Sequence, residues 1–140
     1  MNNQVVIDSS VAVKWTTSFK EELLPQSDVI LKDAQQGNLS LVAPELLKYE
    51  VGNAILHKGL ESSQTKASLI SLYGLPLKYV PETSEQADET LEIAQSLNIT
   101  YYDAAFITLA AMLNCPLITA NPKHQQKFSG VKVIPLKEYR

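Results

Sequence analysis

Short apolar runs alternate with longer segments of helical periodicity along this chain, and that alternation constrains the fold more than any other feature. The first run is Val5–Ile7, and others lie near residues 39–43, 75–80, 117–120 and 131–135. The segments between them space apolar residues three and four apart, as amphipathic helices do. Strands that alternate with helices predict an α/β fold with a mostly parallel central sheet and helices on both faces.

Prolines and capping residues predict where these elements begin and end. Pro44 at a first turn predicts a long helix to about residue 60. Thr83 and Gln86 have capping-box spacing ahead of another helix. Pro76 cannot donate to a ladder of backbone hydrogen bonds, so the run at residues 75–80 is expected at the edge of the sheet or in a connection.

Length and charge limit the classes of protein that fit. A chain of 140 residues predicts one domain over residues 1–140. Its net charge of -3 means that any nucleic acid must be held by a local patch or through metal ions. The single cysteine, Cys115, excludes an intrachain disulfide, no apolar run is long enough to span a membrane, and the N-terminus lacks a signal-peptide pattern. We therefore expect a cytoplasmic protein without a membrane partner.

Polar residues stand where two of the apolar runs end. Asp8 follows Val5–Ile7, and Asn121 follows the run at residues 117–120. Ligands of parallel sheets collect beyond the carboxyl ends of the strands, which is where both residues are expected. Each residue also has a plain structural reading, because aspartate and asparagine are favoured helix caps, and Pro122 after Asn121 suits a first turn.

Two further acids lie beside apolar helix faces. Glu50 is in the middle of a predicted helix, with no lysine or arginine three or four residues away, although a solvated helix flank would also accommodate it. Asp103 precedes Phe106 and Ile107 on an apolar helix. Its alternative role is in a capping box with Thr100.

Acids from separate elements that converge in one cleft repel one another unless a hard cation neutralises them. Oxygen ligands without a histidine or cysteine cluster favour Mg²⁺ or Mn²⁺ over zinc. His57 and His124 are too isolated in the sequence to form a zinc site. The chain also lacks a glycine-rich phosphate loop, which argues against an enzyme acting on nucleoside triphosphates or dinucleotides.

Four segments in this order are similar to a known family. They are Val-Ile-Asp8-Ser-Ser-Val, Ala-Pro-Glu-Leu-Leu-Lys-Tyr-Glu50-Val-Gly-Asn-Ala, Tyr-Asp103-Ala-Ala-Phe-Ile and Leu-Ile-Thr119-Ala-Asn121. Together they resemble the PIN-domain ribonucleases, specifically the VapC-type toxins of bacterial and archaeal toxin–antitoxin pairs, and the likeness extends from Val5 to Val133. The resemblance implies a PIN-like three-layer α/β sandwich.

The resemblance also implies the chemistry of the site. Asp8, Glu50 and Asp103 match the acidic triad that binds one or two divalent ions, Mg²⁺ or Mn²⁺, in a ribonuclease. Ser9 or Ser10 and Thr119 match hydroxyl positions that support the acids. Many members have a fourth acid where this chain has Asn121, so the departure removes one negative charge and puts a second metal ion in doubt.

Substrate contacts and partners are expected around the same cleft. We assign Ser9, Lys14, Thr119 and Lys123 as candidates for contacting RNA, although the lysines are also explained as ordinary solvated side chains. Trp15 and Tyr102 are candidates for stacking on an unpaired base, or for packing in the core or a dimer interface. In the resembling family, the helices predicted between residues 25 and 72 form a homodimer and receive the antitoxin.

Two other functions are weighed against an endoribonuclease. A catalytically weak PIN domain that binds RNA or an antitoxin without turnover is suggested by Asn121. A phosphatase or receiver domain also places an aspartate after its first strand, but Asp8 is followed by Ser-Ser where these domains carry further acids. Metal-dependent cleavage of RNA discriminates between the first two functions.

Overall fold

A parallel five-stranded sheet forms the centre of the computed structural model, which describes residues 3–140. The strands are β1 (Gln4–Ile7), β2 (Ser40–Pro44), β3 (Leu77–Val80), β4 (Leu117–Thr119) and β5 (Val133–Pro135), in the order β3-β2-β1-β4-β5. The helices are α1 (Ser9–Ala12), α2 (Leu24–Gln35), α3 (Leu46–Leu56), α4 (Ser62–Tyr73), α5 (Ser84–Leu97), α6 (Tyr101–Leu113) and α7 (Pro122–Gln125). The predicted α/β class with a parallel sheet is confirmed.

The central strand β1 explains why helices cover the sheet on both sides. Successive side chains of a strand point to opposite faces, and Val5, Val6 and Ile7 are all buried. Both faces of the sheet are therefore covered at this strand, as is usual for parallel sheets. Helix α6 packs against β1 and β2, and α5 packs on α6.

The order of the strands defines where a site can form. Strand β1 pairs with β2 on one side and with β4 on the other, and all the pairs are parallel. The connections run in opposite directions from β1, so a crevice opens beyond the carboxyl ends of β1 and β4. Asp8 directly follows β1, and Asn121 lies two residues after the end of β4.

Most of the predicted boundaries agree with the structure, but the long helix from Pro44 is wrong. Pro44 is the last residue of β2, and α3 runs only from Leu46 to Leu56. Gly59 has a φ of +77°, a left-handed conformation that favours glycine and separates α3 from α4. Strand β3 lies at the edge of the sheet, as Pro76 predicts. The predicted capping box of Thr83 and Gln86 is also formed.

Among residues 3–140, none of the helices has the length and apolar character needed to cross a membrane.

Candidate functional site

Asp8 is buried at the carboxyl end of β1 and receives hydrogen bonds on both of its carboxylate oxygens. Oδ2 accepts from the backbone N–H of Ser10 at 3.1 Å, from the Ser10 hydroxyl at 2.6 Å and from the Thr119 hydroxyl at 3.2 Å. Oδ1 accepts from Nε2 of Gln125 at 3.1 Å. Carboxylate oxygens accept hydrogen bonds, so these four donors hold the Asp8 side chain in one orientation. Asp8 is thus the N-cap of α1 and also an acid that is fixed in place.

Glu50 lies on α3 and is tied to the segment that follows Asp8. The hydroxyl of Ser9 donates to its Oε1 at 2.7 Å. The pKa of Glu50 is raised, first because burial penalises the charged form and also because Asp8 and Asp103 are nearby negative charges. The solvated helix flank that the sequence also allowed does not describe this half-buried side chain.

Asp103 stands in the first turn of α6, where its backbone N–H donates to the N-cap hydroxyl of Thr100 at 3.0 Å. The cap leaves the Asp103 carboxylate free to face the crevice side, where Nδ1 of His124 lies 3.3 Å from Oδ2. Its backbone carbonyl accepts a long hydrogen bond, 3.4 Å, from Gln125. Strand β1, helix α3 and helix α6 therefore each bring one acid to the same region.

Thr119 and Asn121 have different roles at the end of β4. Thr119, a predicted substrate contact, is fully buried, and its hydroxyl donates to Asp8. Asn121 is exposed, and its side chain does not cap α7, contrary to the plain structural reading. Its backbone N–H donates to the Thr119 hydroxyl at 3.0 Å. The Ser9 hydroxyl, another predicted substrate contact, is turned to Glu50.

The two lysines assigned to substrate lie in different surroundings. Lys14 forms an ion pair of 3.0 Å with Glu21, and only 7% of its side chain is exposed. Lys58 pairs with the other oxygen of Glu21, so Lys14 belongs to a structural network and the expectation that it binds phosphate is not supported. Lys123 is exposed at the start of α7, next to His124, and remains a candidate.

Gln125 is the functional residue that the sequence analysis missed. It is almost completely buried, and its amide group links Asp8 to the backbone of Asp103. Its Oε1 has no hydrogen-bond partner in residues 3–140. In the sequence, Gln125 stands out only as a polar residue one helical turn after Pro122. That position does not show that its side chain is buried.

The donor set fits a hard divalent cation. Asp8, Glu50 and Asp103 supply only oxygen atoms, and within residues 3–140 none of them forms an ion pair with lysine or arginine. No group of three or more histidine, cysteine, aspartate or glutamate side chains in that range is arranged as a ready metal cluster. Mg²⁺ characteristically uses one or two carboxylates, with water and substrate phosphate completing its shell.

Replacing Glu50 with glutamine is expected to stabilise the protein in a chelating buffer. Glutamine keeps an oxygen for the Ser9 hydroxyl and removes a charge that burial and two neighbouring acids disfavour. At pH 7 the melting temperature should rise by about 2–4 °C, the shift that about 1 kcal/mol produces in a chain of this size. Thermal unfolding followed by circular dichroism measures this change.

The pH dependence of this effect has a definite sign. A raised pKa means that the folded protein binds the proton of Glu50 more readily than the unfolded chain does, so the destabilisation develops as pH rises through the raised value. The stability difference between Glu50→Gln and wild type should shrink as pH falls toward 4.5, the ordinary value. Glu92→Gln, at an exposed position on α5, should show no such trend. A wild type as stable as Glu50→Gln at pH 7 would contradict the argument.

Comparisons with known proteins identify relatives of this chain. The sequence model of the PIN domain matches residues 5–129. The chain is 30% identical over 101 residues to ribonuclease VapC1 of Mycobacterium tuberculosis, an alignment that covers 69% of this chain and 74% of that protein.

Solved structures share the fold at low sequence identity. VapBC2 from Rickettsia felis, bound to a DNA fragment from its promoter, matches with a TM-score of 0.70 and 13% identity over 94% of this chain and 98% of that one. VapC20 from Mycobacterium tuberculosis, described as a toxin that cleaves the sarcin–ricin loop, matches with a TM-score of 0.67 and 9% identity over 91% and 98% of the two chains.

Proposed function

The chain belongs to the PIN-domain family, and from this premise we propose that it is a metal-dependent endoribonuclease and the toxin of a toxin–antitoxin pair in the cytoplasm. The observation that carries the proposal is the meeting of Asp8, Glu50 and Asp103, acids from three separate elements, within electrostatic reach of one another. Its similarity to ribonuclease VapC1 supports RNA as the substrate.

We assign the metal to Asp8 and Asp103, with Glu50 as a ligand directly or through water. When bound, Mg²⁺ or Mn²⁺ would supply an acidified water and positive charge to offset the charge that builds on a phosphodiester. Ser10, Thr119 and Gln125 hold the Asp8 carboxylate in one orientation through their hydrogen bonds. The position of the Asp8 carboxylate is therefore fixed before substrate arrives.

Other residues of the chain then orient Glu50 and bind the RNA. Ser9 fixes one oxygen of Glu50, which leaves Oε2 without a partner in residues 3–140. His124 lies beside Asp103, and Lys123 is exposed next to His124 on α7, where both can contact a phosphate. Because the net charge is -3, local cations such as Lys123, rather than the overall field, must attract RNA.

Incubation of the purified protein with structured RNA tests the proposal. We expect cleavage with Mg²⁺ or Mn²⁺, none after chelation with EDTA, and recovery when the ion is restored. RNA retained on the protein without any metal-dependent cleavage would favour the second candidate, a PIN domain that binds without turnover. That candidate is motivated by Asn121, whose neutral side chain stands at the end of β4.

Asn121→Asp is expected to increase metal affinity and cleavage, each by about tenfold, because affinity for hard ions follows the number of charged oxygen ligands. Titration calorimetry with Mn²⁺ and initial cleavage rates measure the two effects. Gln126→Glu adds the same charge at an exposed neighbouring position. If both variants gain the same metal affinity and cleavage rate, the added negative charge in general, rather than a ligand at position 121, is responsible.

We also propose that the chain forms a homodimer and binds its antitoxin through α3 and α4. These helices pack on each other and expose several large apolar side chains, Leu56, Leu69, Ile70 and Tyr73. Two solved relatives of this fold, by their descriptions, are VapBC or toxin–antitoxin assemblies, which supports the choice of partner.

Ile70→Asp is expected to convert the dimer to a monomer, because it places a charge where apolar surface would be buried between the copies. Sedimentation velocity at micromolar concentration measures the change. Leu91→Asp, at an exposed apolar position on α5, is the matched control and should leave the dimer intact. A wild-type chain that sediments as a monomer would contradict the assignment.

A further inference from the structure

A pocket of about 240 Å³ lies between the beginnings of α3 and α6. Three tyrosines, Tyr49, Tyr101 and Tyr102, line it together with Glu45 and Glu82. Its remaining walls are apolar. We call it the tyrosine pocket.

The tyrosine pocket borders the acidic site on two helices. Tyr49 immediately precedes Glu50 on α3, and Tyr102 immediately precedes Asp103 on α6. Neighbouring Cα atoms are about 3.8 Å apart, so two walls of the pocket are each one residue from a proposed metal ligand. A group held in the pocket is therefore bound by residues that are adjacent in sequence to two of the proposed metal ligands.

The two glutamates of the pocket differ in the charge that they can offer a ligand. Glu45 is paired with Lys48 at 2.8 Å. Glu82 accepts a hydrogen bond of 2.6 Å from the hydroxyl of Tyr101 on Oε1, and it forms no ion pair within residues 3–140. The phenol of Tyr101 donates this hydrogen bond, so the contact fixes the orientation of the Glu82 carboxylate. Glu82 is consequently an oriented carboxylate whose Oε2 forms no hydrogen bond within residues 3–140 and whose Oε1 keeps a second lone pair.

We propose that the tyrosine pocket binds one unpaired nucleobase of the RNA substrate and selects guanine. This inference rests on the proposed ribonuclease function, since it deepens the substrate assignment of the same site. The tyrosine rings supply faces for stacking. Tyr102, which directly precedes Asp103, is 57% exposed and therefore accessible to a base. Glu82 supplies acceptors for the edge of the base.

The preference for guanine follows from the donors that each base carries. A carboxylate only accepts hydrogen bonds. Guanine has two adjacent donors on its Watson–Crick edge, N1–H and the N2 amino group, whereas adenine and cytosine place an acceptor beside their amino group and uracil places its N3–H between two acceptors. With any base except guanine, a lone pair of the Glu82 carboxylate would therefore face an acceptor of the base. A phosphate is disfavoured in this pocket because it would face carboxylates.

Titration of nucleosides in EDTA tests the pocket without turnover and without a charged phosphate. The probes are guanosine, adenosine, cytidine and uridine, and the signals are the ring resonances of the six tyrosines, labelled with ¹³C. We expect guanosine to shift the Tyr49 and Tyr102 signals and to bind at least about fivefold tighter than the other nucleosides. Tyr102→Ala should weaken guanosine binding at least about fivefold. Phe19→Ala, which removes an exposed aromatic ring outside the pocket, should not.

Glu82→Gln tests the selection separately from stacking. Glutamine can still accept from Tyr101 through its oxygen, but it then presents an amino group, a donor, where the second carboxylate oxygen of Glu82 stood, so the preference for guanosine should fall at least about fivefold. Glu85→Gln, at an exposed position on α5, is the matched control. Equal binding of all four nucleosides by wild type, or no shift of the pocket tyrosines, overturns the proposal. A shift caused only by a triarginine peptide also overturns it, in favour of a basic protein partner.

Cleavage of a randomised RNA with Mg²⁺ provides the second arm. Wild type should cut next to guanine, and Glu82→Gln should cut with reduced base preference while its metal requirement is unchanged. If wild type cuts RNA without a guanine preference, the pocket assignment fails and the ribonuclease function stands. If wild type cuts no RNA, the ribonuclease function fails, and nucleoside binding still decides what the pocket holds.

Discussion

Asp8→Asn is expected to reduce metal-dependent RNA cleavage at least about 10³-fold, which corresponds to about 4 kcal/mol of transition-state stabilisation. Asp8 is the acid that receives the most hydrogen bonds, and it is the one buried at the carboxyl end of the central strand. The substitution removes its charge with almost no change in shape. Cleavage of a labelled RNA under single-turnover conditions, with Mn²⁺ binding by calorimetry in parallel, measures both consequences.

The same substitution is expected to leave the protein folded, with stability within about 1–2 kcal/mol of wild type. The asparagine oxygen can accept from Ser10 and Thr119 in place of Oδ2. Gln125 can turn its amide so that Oε1, which lacks a partner in the part of the chain that the structure describes, faces the new amino group. Loss of activity in a folded protein therefore separates a chemical role from a structural one.

Asp28→Asn is the matched control, because Asp28 is exposed on α2 and lies outside the acidic site. It should cleave RNA at the wild-type rate. An Asp8→Asn protein that is folded and keeps more than about a tenth of the wild-type rate would contradict the assignment of this carboxylate to the metal.

The fold and the elements on which the acids lie were predictable because both depend on local patterns in the sequence. An apolar run that stops at Asp8 predicts both a buried strand and a polar group at its carboxyl end, and the structure has both. Thr100 predicts the start of α6, which sets where Asp103 stands. These inferences use periodicity and capping, which involve residues only a few positions apart.

The contacts that orient the acids were not predictable, because their partners are far away in the sequence. Ser9 reaches Glu50 across 41 positions, and Gln125 reaches Asp8 across 117. Whether a hydroxyl or an amide points to an acid or to solvent depends on how the elements pack, which periodicity does not encode.

Lys14 is the clearest example of a residue whose role depends on tertiary structure. Its place beside the first strand made it a reasonable phosphate contact, yet Glu21 and Lys58 enclose it in an ion-pair network. A buried lysine is paired because an unpaired buried charge is costly. The sequence shows the charge but not which carboxylate satisfies it.

Phe106→Ala is expected to lower the free energy of unfolding by about 3–5 kcal/mol, a large share of the roughly 5–15 kcal/mol that stabilises a typical domain. Phe106 is 1% exposed and is the largest of the fully buried side chains among residues 3–140. It lies one turn after Asp103 on α6, the helix that packs against β1 and β2. Urea unfolding in EDTA, which removes any stabilisation by bound metal, measures the loss.

Met112→Ala is the control for Phe106→Ala, because Met112 is on the same helix but 50% exposed, and its replacement should change stability by no more than about 0.5 kcal/mol. A loss below about 1 kcal/mol for Phe106→Ala would mean that α6 is not anchored through this ring. Since Phe106 is enclosed in the core and does not face RNA, the folded fraction of the variant should cleave at low temperature within about tenfold of the wild-type rate. Asp8→Asn should behave in the opposite way, because it removes charge from the site while the core that carries Asp103 stays intact.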